Sequence, residues 1–367
     1  MREIRMGIVG TSWWADAMHV PAIESHPQAK LVACCGRSAE RTREFAGRHG
    51  VAAWFTDHRE MIAEARLDAI VIAAPENAHH DICLAAAEAG LHVVCEKPLA
   101  MTANEAEEMV SAVERAGVKH MTYFTWRWVP WLRYARQLVD TGYLGRIFES
   151  RFSFIAGFGR SAEQHWAWDR RHGLGALGGL GSHVIDLAHW LVGPICDVDG
   201  SVMNFVERVD PEGGPSMPSN DSALLSVHFQ DGSHGLLEAS AVTHLGERRL
   251  AWEVFLRGER GTTQVTSDFA NGWRIWGVQD DQQGGPLVIP EDLLEGVDDD
   301  AGVWDQVVQI FAKHPVGIRL FVDSIIEDRV VEPSLVDGYR VQRVLETALV
   351  SSRERRRMSV VDVCGPA

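Results

Sequence analysis

The sequence has no apolar stretch of the roughly 18 residues that a membrane-spanning helix needs. We also expect no secretory signal peptide, because the charged segment 1–5 leads directly into a predicted strand without a long apolar region or a small-residue cleavage site. We therefore expect a cytoplasmic protein that has no membrane partner.

Positive charge is scarce as well. The 367 residues include 35 Lys and Arg but 51 Asp and Glu, which gives a formal net charge of -16 at pH 7. Such a chain repels nucleic-acid phosphates and anionic lipid headgroups. The one dense basic run, Arg353–Arg357, is interpreted as the solvated end of a helix, so we expect no nucleic-acid partner.

Cysteine is also rare, and its spacing is not that of a metal site. Most of the cysteines lie in apolar segments, where a free cysteine behaves as a small hydrophobic residue. We therefore expect a reduced protein without a metal site. The six cysteines are Cys34, Cys35, Cys83, Cys95, Cys196 and Cys364.

The length exceeds that at which a single hydrophobic core keeps growing, so two domains are expected. Short runs rich in Val and Ile alternate with helical patterns over the first 122 residues, as parallel strands buried on both faces do. The runs are Met6–Val9, Leu31–Cys35, Ala69–Ala73 and His92–Cys95. Residues 1–122 are therefore predicted to form a doubly wound α/β domain with right-handed crossovers.

The pattern changes after residue 122. Turn sequences at Asp231–Ser233 and Gly258–Gly261 lie between alternating apolar runs and predict hairpins. Residues 123–367 are therefore predicted to form an α+β domain on a large, mostly antiparallel open sheet. Within it we expect loops over 209–220 and 291–300 and a helix over 336–352.

A glycine-containing turn follows the first predicted strand. It resembles the turn in which backbone amides and a helix N-terminus hold a pyrophosphate, although Ser12 replaces the usual second glycine. An incidental strand-to-helix turn is the alternative. The residues predicted to contact a dinucleotide here are Gly10, Thr11, Ser12, Trp13 and Trp14.

The end of the second predicted strand indicates which dinucleotide binds. Gly36 stands where NAD-binding proteins usually have a carboxylate for the ribose 2'-hydroxyl. Arg37 and Ser38 beside it suit a 2'-phosphate, so we favour NADP as the cofactor, with NAD as the alternative. Arg37 could instead cover the adenine face by cation–π stacking.

Glu96–Lys97–Pro98 follows the apolar run His92–Cys95. Ligands of a parallel sheet bind beyond the carboxyl ends of the strands, so a lysine at this position predicts a ligand site. The alternative is a salt bridge between Lys97 and Glu96.

Together these motifs resemble those of the Gfo/Idh/MocA family, the relatives of glucose–fructose oxidoreductase and inositol dehydrogenase. The resemblance extends over nearly the whole chain, and its specific element is Glu96–Lys97–Pro98 in a domain with a glycine turn. The family fold is a Rossmann domain followed by a predominantly antiparallel open sheet. The supporting matches are Ala74, Pro75 and His79, then Trp126, Arg127 and Pro130, and the segment 176–186.

The resemblance implies a role for each matched residue. Lys97 is expected to orient the substrate oxygen near the nicotinamide, and His183 to act as the general acid or base. Histidine suits this role because its ordinary pKa is about 6.5; a core histidine is the alternative for His183. The implied cofactor contacts are Ala74, Pro75, His79, Glu96 and Lys97.

One position departs from the family pattern. Many family dehydrogenases have an aspartate four residues before the histidine, where this chain has Gly179. Either Lys97 and His183 suffice, or His165, His172 or Tyr123 enters the site, or dehydrogenase chemistry is lost. Asp186 lies one helical turn beyond His183 and is expected to orient its ring or to contact backbone amides.

Aromatic residues, histidines and arginines are dense in the segment 164–172. Tryptophan suits the apolar C–H face of a polyhydroxylated ring, and polar groups suit its hydroxyls. A dimer interface is the alternative for the segment, and an interdomain tie is the alternative for Arg127. The predicted substrate contacts are Arg127, His165, Trp166, Trp168, His183 and Asp186.

The sequence thus predicts a nicotinamide-dependent oxidoreductase that interconverts a secondary alcohol and a ketone, or an aldehyde, on a sugar, cyclitol or related polyol. A dinucleotide-binding sensor of the same fold is the main alternative. A glycosidase that uses tightly held NAD is disfavoured because its characteristic signature is absent. By family analogy we expect a homodimer or homotetramer formed through the open sheet.

Overall fold

The computed structural model describes residues 3–163, 165–209, 217–298 and 301–365. The chain divides into two units, of which the first contains Met1–Phe124 and Val308–Tyr339. The second contains Thr125–Val307 and Arg340–Ala367. The chain first passes from the first unit to the second after Phe124, close to the predicted domain boundary after residue 122. The sequence did not predict that residues 308–339 belong to the first unit.

The first unit contains a six-stranded, all-parallel sheet with strand order β3-β2-β1-β4-β5-β6. Every residue of the strand Ala69–Ile72 is buried, as expected for a sheet covered on both faces. The strands are β1 (Ile4–Val9), β2 (Ala29–Cys35), β3 (Ala53–Phe55), β4 (Ala69–Ile72), β5 (His92–Cys95) and β6 (His120–Thr122).

Helices connect these strands, and a π-helical turn over Ala15–His19 precedes the first of them. The helices are α1 (Val20–Glu24), α2 (Ala39–Arg48), α3 (His58–Glu64), α4 (His79–Glu88) and α5 (Ala103–Ala116).

Hydrogen bonds join residues 308–339 to the first unit, and the sequence pattern does not predict these contacts. The amide of Thr122, at the end of β6, donates to the carbonyl of Pro333 at 3.0 Å. The ring of His26 lies 3.1 Å from the carboxylate of Asp323. The periodicity of an amphipathic helix shows that one face is buried, but not which sheet that face covers. The sequence therefore predicts this segment as part of the second domain.

The second unit contains a nine-stranded sheet with strand order β14-β13-β12-β11-β7-β10-β9-β8-β15. All neighbours are antiparallel except β7 and β10, which are parallel. The strands are β7 (Ile147–Ala156), β8 (Ile195–Met203), β9 (Ser222–Phe229), β10 (His234–Ser240), β11 (Leu250–Gly258), β12 (Gly261–Asp268), β13 (Gly272–Gln279), β14 (Gly285–Pro286) and β15 (Met358–Ser359).

The strands of this second sheet alternate buried and exposed residues, so one face packs inward and the other stays open. The remaining helices of the chain are α6 (Pro130–Asp140), α7 (Ser182–Leu191), α8 (Glu291–Leu294), α9 (Val303–Lys313), α10 (Gly317–Ile326), α11 (Leu335–Glu354) and α12 (Val360–Cys364). A second π-helical turn, Leu177–Gly181, leads into α7.

The hairpin turns and the long C-terminal helix occur where they were predicted. The acidic stretch 291–300 was expected to be a loop, but it begins with the short helix α8. Asp residues favour turns by local propensity, and that propensity is weak enough for packing to override. Residues 299–300 and 210–216, which the two loop predictions include, lie outside the described residues.

The strand order of the first sheet reverses between β1 and β4. Dinucleotides bind doubly wound sheets in the crevice that opens at such a point, beyond the carboxyl ends of the strands. Gly10 directly follows β1, and Ala74 and Pro75 follow β4. The fold therefore brings two of the predicted cofactor segments to the same edge of the sheet.

Candidate active site

The glycine turn passes too close to β4 for a side chain at its first position. Gly10 has a φ of +123°, and a Cβ there would lie 2.2 Å from the carbonyl oxygen of Ala73. Ser12 Oγ accepts a hydrogen bond from the Ala15 amide at 3.4 Å, so the serine caps the π-helical turn. The tight turn fits the cradle that a pyrophosphate requires.

The segment after β2 contains no carboxylate. A Cβ at Gly36 would lie 2.6 Å from Thr42 Oγ1, which leaves no room for an acidic side chain without a shift. Arg37 and Ser38 are exposed. Ser38 Oγ accepts from the Arg41 amide at 3.4 Å as the N-cap of α2, and its hydroxyl hydrogen is still available to a ligand.

His79 joins the segments that follow β4 and β5. Its Nε2 lies 2.9 Å from the Ala74 carbonyl oxygen, and its Nδ1 lies 3.1 Å from that of Pro98. The ring is 1% exposed, and burial lowers the pKa of His79. A neutral imidazole donates one hydrogen bond, so His79 bonds one of these carbonyls and packs against the other. The predicted contact between His79 and the cofactor is therefore corrected, because both ring nitrogens face the protein backbone.

Glu96 is also buried rather than open to a ligand. Its Oε1 accepts from the indole nitrogen of Trp14 at 2.6 Å and lies 2.9 Å from His19 Nε2. Its Oε2 accepts from the Lys97 amide at 3.2 Å. Cofactor contacts were predicted for Glu96 and Trp14, but their polar side-chain groups bind each other instead.

Lys97 itself is half-buried at the carboxyl end of β5, and its peptide bond to Pro98 is cis. Trp13 is 64% exposed. Thr11, Ala74 and Pro75 are half-buried at the same edge of the sheet. These positions are compatible with the ligand contacts predicted for them.

Tyr123 is packed in the interior of the first unit. Its side chain is fully buried, with its ring centroid 4.6 Å from that of His19 and 5.6 Å from that of Phe311. Of the alternatives for the missing aspartate, Tyr123 is therefore disfavoured. A tyrosine between two predicted strands is equally compatible with a core position and with a ligand site, and only its packing distinguishes the two.

His183 lies at the start of α7 among aromatic rings of the second unit. Its ring centroid is 6.0 Å from Phe154, 6.1 Å from Trp126 and 6.3 Å from Trp252. Phe154 and Trp252 are themselves stacked at 3.8 Å. The histidine is thus packed in a buried aromatic cluster built by β7, β11 and the turn Thr125–Trp128.

Asn220 holds the chain segment that precedes this histidine, and the sequence analysis did not identify Asn220 as a functional residue. Its side chain accepts from the Leu177 amide at 2.7 Å and donates to the Leu174 carbonyl at 2.8 Å. These bonds hold the start of the π-helical turn that precedes His183. Asn220 lies at the end of a segment rich in Pro, Gly and Ser, which indicates a loop and not a partner.

Arg127 and Asp186 form a buried ion pair. The Nε of Arg127 donates to Asp186 Oδ2 at 2.9 Å, and Nη2 donates to Oδ1 at 2.6 Å. Arg127 is 6% exposed and Asp186 is 1% exposed. The substrate contacts predicted for both residues are corrected, since opposite charges that are buried together bind each other. The pair joins the turn Thr125–Trp128 to α7 within one unit.

The aromatic segment before α7 divides into a buried and an exposed part. Trp168 is buried beneath Arg208, whose guanidinium carbon lies 4.6 Å from the ring centroid. Arg208 in turn lies 3.3 Å from the buried carboxylate of Asp221. Trp168 therefore anchors the segment, which corrects its predicted substrate contact, whereas His165 and Trp166 are exposed.

The position of the missing aspartate is open. Gly179 lies in the π-helical turn and is half-buried, and a Cβ built there meets no other atom within 4 Å. A Cβ at this position would therefore fit without displacing its surroundings.

Across residues 3–163, 165–209, 217–298 and 301–365 there is no group of three His, Cys, Asp or Glu arranged to hold a metal ion. Within the same ranges, no helix is both long and apolar enough to cross a membrane.

Comparison with known proteins identifies the family. A model described as an oxidoreductase family with an NAD-binding Rossmann fold matches residues 4–124. A model of the Gfo/Idh/MocA C-terminal domain matches residues 132–264. The chain belongs to the Gfo/Idh/MocA family of oxidoreductases. The predictions of this family, of its two-sheet fold and of a nicotinamide dinucleotide as cofactor are thereby confirmed.

Relatives of this Gfo/Idh/MocA protein include two named dehydrogenases. Levoglucosan dehydrogenase of Pseudarthrobacter phenanthrenivorans is 28% identical, over 96% of this chain and 91% of the relative. The scyllo-inositol 2-dehydrogenase (NADP(+)) IolU of Bacillus subtilis is 32% identical, over 57% of this chain and 65% of the relative. A levoglucosan dehydrogenase structure with NADH and levoglucosan shares the fold, with a TM-score of 0.87 at 24% identity over 98% of this chain and 100% of that chain.

The buried ion pair of this family member yields a first prediction. Arg127→Met should lower the free energy of unfolding by about 3–5 kcal/mol, because it leaves the Asp186 carboxylate buried without its cation. The double variant Arg127→Met/Asp186→Leu should lose less than the sum of the two single losses. Urea unfolding followed by circular dichroism measures each variant.

The control is Arg257→Met, which removes an exposed pair with Glu149 and should change the free energy of unfolding by less than about 1 kcal/mol. A loss in Arg127→Met as small as that of the control would contradict a buried, paired charge at position 127.

Proposed function

We propose that the protein is an NADP-dependent dehydrogenase or reductase that interconverts a secondary alcohol and a carbonyl group on a ring-form sugar, cyclitol or related polyol. The observation that carries the proposal is the placement of the Lys97 backbone at the carboxyl end of β5. Its amide binds Glu96, and the carbonyl of the next residue faces His79. A lysine at the ligand-binding edge of a Rossmann sheet suits a reacting oxygen.

The two catalytic residues receive separate roles. The Lys97 ammonium orients the substrate oxygen and stabilises the negative charge that develops on it. His183 takes up the hydroxyl proton during oxidation and returns it during reduction. When bound, the nicotinamide supplies the hydride acceptor or donor.

The exposed residues of the segment before α7 support a polyhydroxylated ring as substrate, because tryptophan is well suited to C–H faces. His183 itself lies among the buried rings of Trp126, Phe154 and Trp252, which shield the histidine and leave no open face of their own. His165 and Trp166 are exposed and stay proposed substrate contacts. The relatives named as acting on levoglucosan and scyllo-inositol lend the same support.

The choice of NADP is supported by the end of β2. Arg37 and Ser38 are exposed there, and Gly36 lacks room for a carboxylate. One relative is named as NADP-linked and another was solved with NADH, so the relatives are compatible with either cofactor. The proposed cofactor contacts are Gly10, Thr11, Ser12, Trp13, Arg37, Ser38, Ala74, Pro75 and Lys97.

We also propose that the protein forms a homodimer or homotetramer through the open sheet. The open face exposes apolar side chains, including Leu224 at 56%, Leu236 at 52% and Trp276 at 38%. Large exposed apolar side chains on one face indicate an interaction surface. Sedimentation equilibrium tests this, and a monomer at micromolar concentration would contradict it. A cytoplasmic location stays a prediction, to be tested by cell fractionation.

A sensor that binds the dinucleotide without turnover is the second candidate, and the glycine at position 179 favours it. A screen of sugars and cyclitols with NAD and NADP, followed by nicotinamide absorbance, distinguishes the two. Turnover of any polyol supports the dehydrogenase, whereas cofactor binding without turnover supports the sensor.

Cofactor choice yields the second prediction. NADP should bind more tightly than NAD, and Arg37→Ala should reduce that preference about 5- to 30-fold, because a charge-assisted hydrogen bond to the 2'-phosphate is lost. Calorimetric titration with each cofactor measures the preference. Arg115→Ala, which removes an exposed arginine at the end of α5, is the control. Equal affinities in the unmodified protein would overturn the choice of NADP.

The third prediction concerns catalysis. His183→Ala and Lys97→Met should each reduce kcat about 100-fold or more, the usual contribution of a general acid–base or charge-stabilising group. Cofactor affinity should be retained in His183→Ala. Lys30→Met removes an exposed lysine and serves as the control. A kcat close to normal in His183→Ala would assign the proton transfer to another residue.

The fourth prediction uses the open space at position 179. Gly179→Asp should fold normally and move the acid limb of the pH–kcat profile up by about one pH unit, because a nearby negative charge favours the protonated imidazole. Gly179→Asn has the same shape without the charge and is the matched control. Identical profiles for the two variants would show that position 179 does not face the proton path.

A further inference from the structure

The carboxylate of Glu96 binds hydrogen-bond donors from segments that are far apart in the chain. Trp14 Nε1 and His19 Nε2 both meet its Oε1, at 2.6 and 2.9 Å. The Lys97 amide meets its Oε2 at 3.2 Å. One carboxylate thus joins the glycine turn after β1 to the residue proposed to act on the substrate oxygen.

The contacts determine the protonation of this cluster. Burial raises the pKa of Glu96, but the hydrogen bonds from His19 and Trp14 and the nearby Lys97 charge outweigh it, so the pKa lies below its ordinary value. The carboxylate is therefore ionised near neutral pH and can only accept hydrogen bonds. His19 must then carry its proton on Nε2.

The ring of His19 is held from its other side as well. It is 0% exposed and packs at 4.6 Å against Tyr123, whose amide donates to the Cys95 carbonyl at 2.8 Å. Neither imidazole nor phenol reaches solvent, so this side of the cluster is fixed by packing. His19 is therefore placed to orient Glu96 and not to bind a ligand.

The other side of Lys97 is fixed by a second imidazole. His79 Nδ1 lies 3.1 Å from the Pro98 carbonyl and 3.3 Å from that of Leu99, while its Nε2 faces the segment after β4. The backbone on both sides of Lys97 thus contacts buried groups, which lead to the segments after β1 and β4 on the same side of β5.

We propose that His19 and Trp14 are positioning residues that act through Glu96 to hold Lys97 in place. The relevance to catalysis rests on the proposed role of Lys97, whereas the positioning itself does not. Loss of either donor should leave cofactor affinity almost unchanged and displace the lysine from its working position. Small misplacements of a catalytic group reduce the rate strongly.

The variants separate donor loss from loss of bulk. His19→Leu removes the donor, and His19→Gln restores an N–H at a similar reach. Trp14→Phe keeps an aromatic ring without its N–H and is the variant least prone to misfold. His26→Leu is the control, because it removes another buried histidine of the same unit that contacts a carboxylate, the half-buried Asp323 at 3.1 Å.

The first measurement does not require turnover. Trace acetylation with acetic anhydride, read by mass spectrometry, gives the reactivity of Lys97 relative to exposed Lys30 in the same molecule. His19→Leu and Trp14→Phe should change this ratio by about 3-fold or more, because amine reactivity follows its charge environment and access. The ratio should return in His19→Gln and stay unchanged in His26→Leu.

The second measurement is steady-state kinetics on a polyol that the unmodified enzyme oxidises. His19→Leu and Trp14→Phe should lower kcat about 10- to 100-fold, with cofactor Kd within about 3-fold and kcat restored in His19→Gln. An unchanged labelling ratio in both donor variants overturns the inference. A changed ratio in a protein that turns over no polyol supports the positioning and contradicts the proposed function.

Discussion

The buried carboxylate of Glu96 is the constraint on which the first unit depends. A carboxylate taken out of water is costly unless hydrogen bonds replace its hydration. Glu96 obtains them from Trp14, His19 and the Lys97 amide, so satisfying the charge also sets the path of the chain after β1 and β5. The edge of the sheet where a dinucleotide binds is thereby built around one anion.

The second unit uses buried polar groups in the same way. The Arg127–Asp186 pair fixes α7 against the turn Thr125–Trp128, and Asn220 holds the π-helical turn that precedes His183. Buried polar groups that are fully paired specify a single arrangement, because each alternative leaves a group unpaired. The histidine proposed for proton transfer is thus placed by groups that do not themselves take part in the chemistry.

This arrangement also explains which predicted contacts were wrong. His79, Glu96, Arg127 and Asp186 carry the residue types of an active site and lie in the matched motifs, yet each is occupied by a partner within the protein. A motif shows that a residue type is required at a position. It does not show whether a ligand or another part of the chain requires it.

The sequence alone determined the parallel sheet, the glycine turn, the open antiparallel sheet and the positions of Lys97 and His183 at the ends of their elements. These features follow from short-range patterns, namely apolar periodicity and turn residues, which are local in the chain. The partners of Glu96 and Arg127, the burial of Trp168 and the return of residues 308–339 were decided only by the tertiary structure. His19 lies 77 residues from Glu96 in the chain, and no local pattern encodes a pairing that packing alone brings together.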